Sequence, residues 1–164
     1  MIKKLKNFIL SYFRTIYLFE ANKNQKRLNL KNFKLKIYKK FSSIKNKNLK
    51  KFLNSDKKKR FREKQFLLVL YFKNNIVTTG WMYQGIRWRI TEINKYIQIK
   101  NKVLLYDFLT FKEFRNRGYY AKILKLARNF NTKKKFWIYC LSNNSSSKKG
   151  IENSNFKLLK KIEK

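Results

Sequence analysis

Residues 33–38 (Phe-Lys-Leu-Lys-Ile-Tyr) alternate apolar with basic side chains. That period of two puts one face of a strand in a core and the other in water. Residues 66–72 (Phe-Leu-Leu-Val-Leu-Tyr-Phe) form an unbroken apolar run, which predicts a buried strand. Asn74-Asn75 predicts a turn and residues 76–83 a returning strand, so this stretch reads as a hairpin. Gln84-Gly85 predicts another turn, followed by extended segments at 86–93 and 95–100. A second buried-strand run spans 103–109. Within 118–129, Ile123, Leu124, Leu126 and Ala127 fall at helical spacing. A short strand is predicted at 135–141, a short helix at 145–153 and a closing strand at 156–162. Residues 45–64 are rich in Lys, with Leu49, Phe52 and Leu53 on one helical face, which predicts a polar surface helix. Strand, helix, strand, helix, strand in the second half predicts an α+β (α/β-like) domain, not a sandwich or bundle.

The start of the chain pairs a basic stretch, Met1 to Lys6, with a mostly apolar one, Phe8 to Phe19. This resembles the front of a signal peptide, but Arg14 interrupts it and no small-x-small cleavage site follows. It is also too short to span a bilayer. The expectation is a helix packed on the domain, with peripheral membrane contact through residues 6–20 as the alternative. The expected location is cytoplasmic, or membrane-peripheral under that alternative. No internal repeat and no Pro/Gly/Ser linker divides the 164 residues, so one domain is expected over 1–164. Its basic N-terminal part would be 1–64 and its binding core 65–164.

Charge changes the picture of partners. The chain has 43 Lys and Arg against 8 Asp and Glu, a formal charge of +35, which attracts nucleic acid, acidic membranes and phosphorylated small molecules. Lys, Asn, Ile and Phe have AT-rich codons, so the Lys excess is partly genomic; the shortage of acids is not explained that way. The absence of His excludes a Ser-His-Asp triad, a Cys-His pair and any His-ligated metal. The single Cys140 excludes an intrachain disulfide and a cysteine zinc cluster.

The stretch 105–124 carries the candidate chemistry: a buried strand ends, a short loop bears Arg115, Arg117 and Gly118, and a helix begins. Amides at a helix start lack partners and lie at the positive end of the dipole, which suits a pyrophosphate. Gly118 removes the Cβ from the approach, and the two arginines add charge-assisted donors. By itself the pattern also describes an ordinary strand-to-helix connection with solvated arginines.

The stretch resembles the acetyl-CoA signature of the GNAT superfamily, Q/R-x-x-G-x-G/A. Arg115 and Gly118 match it, and Tyr120 stands in place of the usual small residue, with Ala121 following. Downstream, Asn144, Ser147 and Asn155-Phe156 have the spacing of a second GNAT motif, with Asn155 in place of Gly. Asn tolerates the left-handed conformation that ends a helix, and Ser145, Ser146 or Ser147 can cap its start. The resemblance covers about residues 66–162. Within the superfamily it is nearest to acetyltransferase-like proteins of surface-polysaccharide synthesis, which have a similar Trp-x-Tyr strand and Arg-x-Arg-Gly-Tyr-Tyr helix start.

The resemblance implies a GNAT fold, with a mixed central sheet splayed between the strands near 103–109 and 135–141 and flanked by helices. It implies acetyl-CoA as co-substrate, no metal, and transfer of the acetyl group to an amine. The pantetheine arm would bond the backbone near Phe108, Leu109 and Thr110. The pyrophosphate would sit at Arg115 and on the amides of Arg117, Gly118, Tyr119, Tyr120, Ala121 and Lys122, with Asn144 and Ser147 on the other side. The family's general-acid Tyr is replaced by Ile151, which leaves Tyr139 or water as the thiolate's proton donor. Candidate bases are Glu92 and Asp107, each of which also reads as a carboxylate paired with a cation. Cys140 is either near the cofactor sulfur or a small buried hydrophobe. Trp81, Tyr83 and Trp88 would stack on a sugar or fill the core.

The implied acceptor is a small-molecule amine, with a nucleotide-linked amino sugar suited to the positive field. Two other readings compete: a basic RNA-binding or ribosome-associated protein, and a GNAT-fold protein that binds without catalysing.

Overall fold

The computed structural model describes residues 14–24, 28–130 and 133–164. Nine strands are found among them: β1 (Thr15–Ala21), β2 (Phe33–Tyr38), β3 (Gln65–Phe72), β4 (Asn75–Tyr83), β5 (Arg87–Ile90), β6 (Lys95–Gln98), β7 (Lys102–Thr110), β8 (Lys135–Leu141) and β9 (Lys157–Glu163). The α-helices are α1 (Lys47–Phe52), α2 (Ser55–Arg60), α3 (Tyr119–Ala127) and α4 (Ser145–Glu152). Seven strands form one mixed sheet in the order β2-β3-β4-β7-β8-β1-β9, while β5 and β6 form a separate hairpin. Only the β7–β8 contact in the large sheet is parallel. The α+β expectation holds.

Side-chain alternation distributes the core over both faces of the sheet. Phe136, Ile138 and Cys140 of β8 point with Val103 and Leu105 of β7 toward Ile123 and Leu124 of α3 and Ile151 of α4. On the opposite face, Leu104, Ile16 and Leu18 meet Ile90, Ile93, Ile97 and Ile99 of the small hairpin. Beside them, Leu67, Val69, Trp81 and Tyr106 meet Ile44, Leu49 and Leu53 around α1. The continuous apolar run of β3 is thus explained: its two sets of alternate residues enter two different cores.

The expected helix at 8–19 is corrected over its described part. Thr15–Ala21 is a strand inserted between β8 and β9, pairing Ile16 with Leu141 and with Ile162. Ile16, Leu18 and Phe19 are fully buried in the protein core, so these side chains are not offered to a membrane. Apolar groups on both faces of a central strand abolish the alternation that would have distinguished it from a helix. The remainder of that expected helix and of the expected membrane contact lies outside the described residues. Among the described residues no helix is long and apolar enough to cross a membrane.

The single helix expected at 45–64 is two. Asn46 Oδ1 accepts from the Leu49 amide at 2.8 Å and starts α1. Leu53 is extended, and Asn54 Oδ1 accepts from the Lys57 amide at 3.0 Å and starts α2. A second capping Asn within the Lys-rich run competes with helix continuation. The β3–β4 turn also falls one residue earlier than expected, at Lys73 and Asn74, both at positive φ, as a tight hairpin requires. The segments expected at 86–93 and 95–100 are shorter strands joined by a turn over residues 91–94.

Candidate functional site

The site begins where two parallel strands part. β7 and β8 pair from Lys102 with Lys135 to Leu105 with Ile138, and no further. Beyond that point β8 stays with β1 as far as Leu141, and β7 stays with β4 as far as Thr110. The second half of β7 therefore has a strand partner on one edge only. A bulge accompanies the parting: Thr79 faces Leu109 but Trp81 faces Tyr106, so β7 carries one extra residue. Asp107 takes up that residue at φ 50°, and the Phe108 ring lies against Gly80, where a Cβ would collide with it.

A cleft of about 720 Å³ opens in this gap. One wall is the end of β7, with Tyr106, Asp107, Phe108, Leu109 and Thr110. The next is the loop and helix start, with Arg115, Gly118, Tyr119, Tyr120 and Ala121. Tyr139 of β8 and Asn144, Ser147 and Gly150 around α4 close the opposite side. The structure thus brings together most of the residues singled out from sequence. Arg117, Lys122 and Glu92 do not line the cleft.

Gly118 opens α3 at φ 69° and supplies no side-chain cap, so the first amides of the helix are not taken by a capping side chain. A Cβ there would meet only Lys122 Nζ, at 3.6 Å, so it is the left-handed conformation and not crowding that favours glycine. The Lys122 amide is already bonded to the Gly118 carbonyl at 3.2 Å, so it is not among the free donors, contrary to expectation. The Lys122 ammonium reaches the Arg117 carbonyl at 3.4 Å, and Arg117 is exposed outside the cleft. Arg115 Nε donates to the Thr110 carbonyl at 3.2 Å, which ties the loop to the end of β7.

Across the cleft, Asn144 itself caps α4, accepting from the Ser147 amide at 3.0 Å and from Ser146 Oγ at 3.1 Å. This corrects the expected serine cap: an Asn one residue earlier holds the position. At the other end Asn155 adopts φ 63°, as its place of Gly required. Tyr120 does not crowd the helix start. Its ring packs where Gly150 has no Cβ, its hydroxyl lies 3.3 Å from Ser147 Oγ, and Phe108 stands 5.5 Å away. Burial pushes the Tyr120 phenol up, so it stays protonated. Gly150 is the partner that sequence reasoning missed; a small residue on α4 opposite a bulky one on α3 was the available signal.

The other end of the cleft is aromatic and charged. Trp88 Nε1 donates to Tyr139 Oη at 3.3 Å. Burial, offset in part by that bond, with Glu92 and Asp107 adding repulsion, pushes the Tyr139 phenol up to about 12. Asp107 is paired with Arg60 Nη1 at 2.5 Å. Glu92 sits in the β5–β6 turn, accepts from Thr91 Oγ1 at 3.2 Å and stays off the cleft wall.

No protein-family model and no curated protein matches the chain. Solved structures match in fold. An acetyltransferase from the GNAT family of Colwellia psychrerythraea is 14% identical, with a TM-score of 0.56 over 94% of this chain and 58% of that one. A protein of the GNAT family from Novosphingobium aromaticivorans gives 9% and 0.57 over 91% and 61%. A GCN5-related N-acetyltransferase from Sphaerobacter thermophilus gives 8% and 0.52 over 99% and 55%. The chain has the GNAT fold. It spans about three fifths of the length of these structures, and at such identities the likeness is one of fold.

Within the GNAT fold several expected roles find their places. Ile151, which the resemblance places at the family's general-acid position, is fully buried in the core under α4 and does not line the cleft. Cys140 is also on that core face, 6% exposed; burial pushes its thiol up to about 11, so it is a small hydrophobe and not a partner for the cofactor sulfur. Trp81, Tyr83 and Trp88 do not line the cleft. Trp81 is buried and packs on Phe61 at 5.2 Å, and Trp88 stacks between Tyr83 and Tyr106 at 5.2 and 4.5 Å. They build the core and hairpin, as the alternative to sugar stacking required.

Proposed function

We propose that this chain transfers an acetyl group from acetyl-CoA to an amine. The observation that carries the reading is the splayed cleft: an edge of β7 without a strand partner, facing a helix start whose N-cap is Gly118. The edge of Phe108, Leu109 and Thr110 can add an extended pantetheine arm through main-chain bonds, as an added strand does. The first amides of α3, with Arg115 beside them, suit the pyrophosphate. Asn144 and Ser147 would flank the arm from α4.

The chain's part in the reaction is positioning and proton handling. Amine and thioester are held in one cleft, which replaces a bimolecular encounter. The amine nitrogen bonds to the acetyl carbon and the C–S bond breaks. A proton leaves the amine toward Asp107, directly or through water, and the sulfur gains one from Tyr139 or water. Tyr139, a phenol at neutral pH, can donate but does not serve as a base. An amine on an amino sugar is the acceptor we propose from the likeness to surface-polysaccharide enzymes. Ile151 in place of the family's Tyr favours a second reading, binding of CoA without turnover.

Thermal unfolding with and without acetyl-CoA, with ATP and RNA as anion controls, tests the reading. A rise in Tm specific to acetyl-CoA supports it. An equal rise with every polyanion sinks it in favour of nucleic-acid binding. Stabilisation with no CoA release in an acceptor screen would leave the binding-only reading.

A further inference from the structure

Asp107, on the cleft wall, is held by an ion pair with Arg60, which stands beside the wall, a pair that acetyl transfer alone does not call for. Arg60, the last residue of α2, points Nη1 at Asp107 Oδ2. Its guanidinium carbon lies 5.0 Å from the centroid of the Trp81 ring and 5.4 Å from that of Tyr106, within cation–π range of both. Asp107 is presented by the left-handed residue of the β7 bulge. Both side chains still reach solvent, at 26% and 44% exposure.

An exposed ion pair adds little to stability, and a left-handed Asp costs energy. Stability therefore gives a weak reason for pairing this cation with the anion on the cleft wall. Ligand exchange gives a better one. A molecule with an ammonium and an anion can enter the pair: the ammonium takes Asp107 from Arg60, and the anion takes Arg60 from Asp107. Each charge then keeps a partner. An amine without an anion would compete with Arg60 for Asp107 and gain no partner at the guanidinium in return. The approach favours the same ligand, because Lys57, Lys58 and Lys59 precede Arg60 on α2 and only Asp56 opposes them there.

We infer that the acceptor is a small amine carrying its own anionic group, a carboxylate or a phosphate ester, which Arg60 binds while Asp107 faces the amine. This rests on the acetyl-transfer reading and deepens it. Arg60 is then the residue that sets acceptor specificity. The bond changes stay those of acetyl transfer, N–C formed and C–S broken; the anion takes no covalent part.

The test is the rate of CoA release with acceptor pairs that differ only in the anion. One arm compares amino acids with their amides, and the other compares glucosamine 6-phosphate with glucosamine. In at least one arm the anionic member should have kcat/KM about tenfold or more above its partner, the scale of one charge-assisted hydrogen bond. Arg60→Gln should bring that ratio near one, and Arg60→Lys should recover part of it. A purely structural role for Arg60 would lower both rates together and leave the ratio intact. Should Arg60→Gln fail to fold, the ratio in Arg60→Lys and in Asp107→Asn carries the test. Equal rates within both pairs, an unmoved ratio, or no turnover by a protein that acetyl-CoA stabilises would overturn the inference and leave acetyl-CoA binding standing. Absence of that stabilisation would overturn both.

Discussion

The two ends of the cleft are built from different materials. The end proposed for CoA is made of backbone: an open strand edge, a glycine at positive φ, a helix start, and a second glycine on α4 that receives Tyr120. The end proposed for the acceptor is lined by side chains that distant parts of the chain hold in place, Asp107 by Arg60 and Tyr139 by Trp88. Backbone donors recognise what every acyl-CoA shares. Side-chain pairs recognise what differs from one acceptor to another. A fold can keep the first end and change the second, which is why function is argued from the site and not from the fold.

That contrast can be broken by substitution. The largest effect is expected at the acceptor end: Asp107→Asn should lower kcat by about 100-fold or more if the carboxylate receives the amine's proton, while calorimetry shows acetyl-CoA still binding. A mutant that loses CoA binding as well would erase the distinction between the two ends. At the backbone end, Gly118→Glu puts a like charge against the pyrophosphate and a side chain at positive φ. Affinity for acetyl-CoA should fall by a factor on the order of 100. Arg115→Ala, which removes a side chain and no backbone donor, should cost far less in the same titration.

Smaller effects sharpen the comparison through stability. Gly80→Ala drives a methyl into the Phe108 ring, and Gly150→Ala drives one into the Tyr120 ring. Each should destabilise by about 1–3 kcal/mol in urea unfolding. Gly150→Ala combined with Tyr120→Ala should recover part of that loss, since the ring is the obstacle.

The smallest effect is electrostatic and lies away from the cleft. Burial raises the Glu20 carboxyl, but hydrogen bonds from Lys135 and Trp137 and the charges of Lys135 and Lys102 outweigh it, and the net pKa is lowered. A carboxylate whose folded pKa lies below its unfolded value adds stability above the unfolded pKa. That stability is lost as pH falls through the folded one. Glu20→Gln should therefore flatten the decline in Tm on the acid side of pH 4.5 and leave the neutral-to-alkaline profile's shape unchanged.

What the sequence made legible follows the same division. Local patterns placed the strands of the second half and the helix that Gly118 opens, because each depends on residues within a few positions. The splay, the helix start proposed for the pyrophosphate and the left-handed Asn155 came through the resemblance carried by Arg115, Gly118, Asn144, Ser147 and Asn155-Phe156. The acceptor end stayed hidden because its pairs are 47 and 51 residues apart, and with 43 cations no particular Arg could be matched to Asp107. Thr15–Ala21 was misread for a related reason. Its two apolar faces are explained only by burial between β8 and β9, which no local pattern reports. The split at Leu53 turned on one competing cap at Asn54.

The most direct measurement of the central claim is calorimetric titration with acetyl-CoA and with ATP at rising salt. A built site predicts one acetyl-CoA per chain, bound more tightly than ATP throughout the salt series and lost in Gly118→Glu. Equal affinities for both ligands, falling together as salt rises and unaffected by Gly118→Glu, would mean that the charge of +35 alone holds them, and would contradict the account.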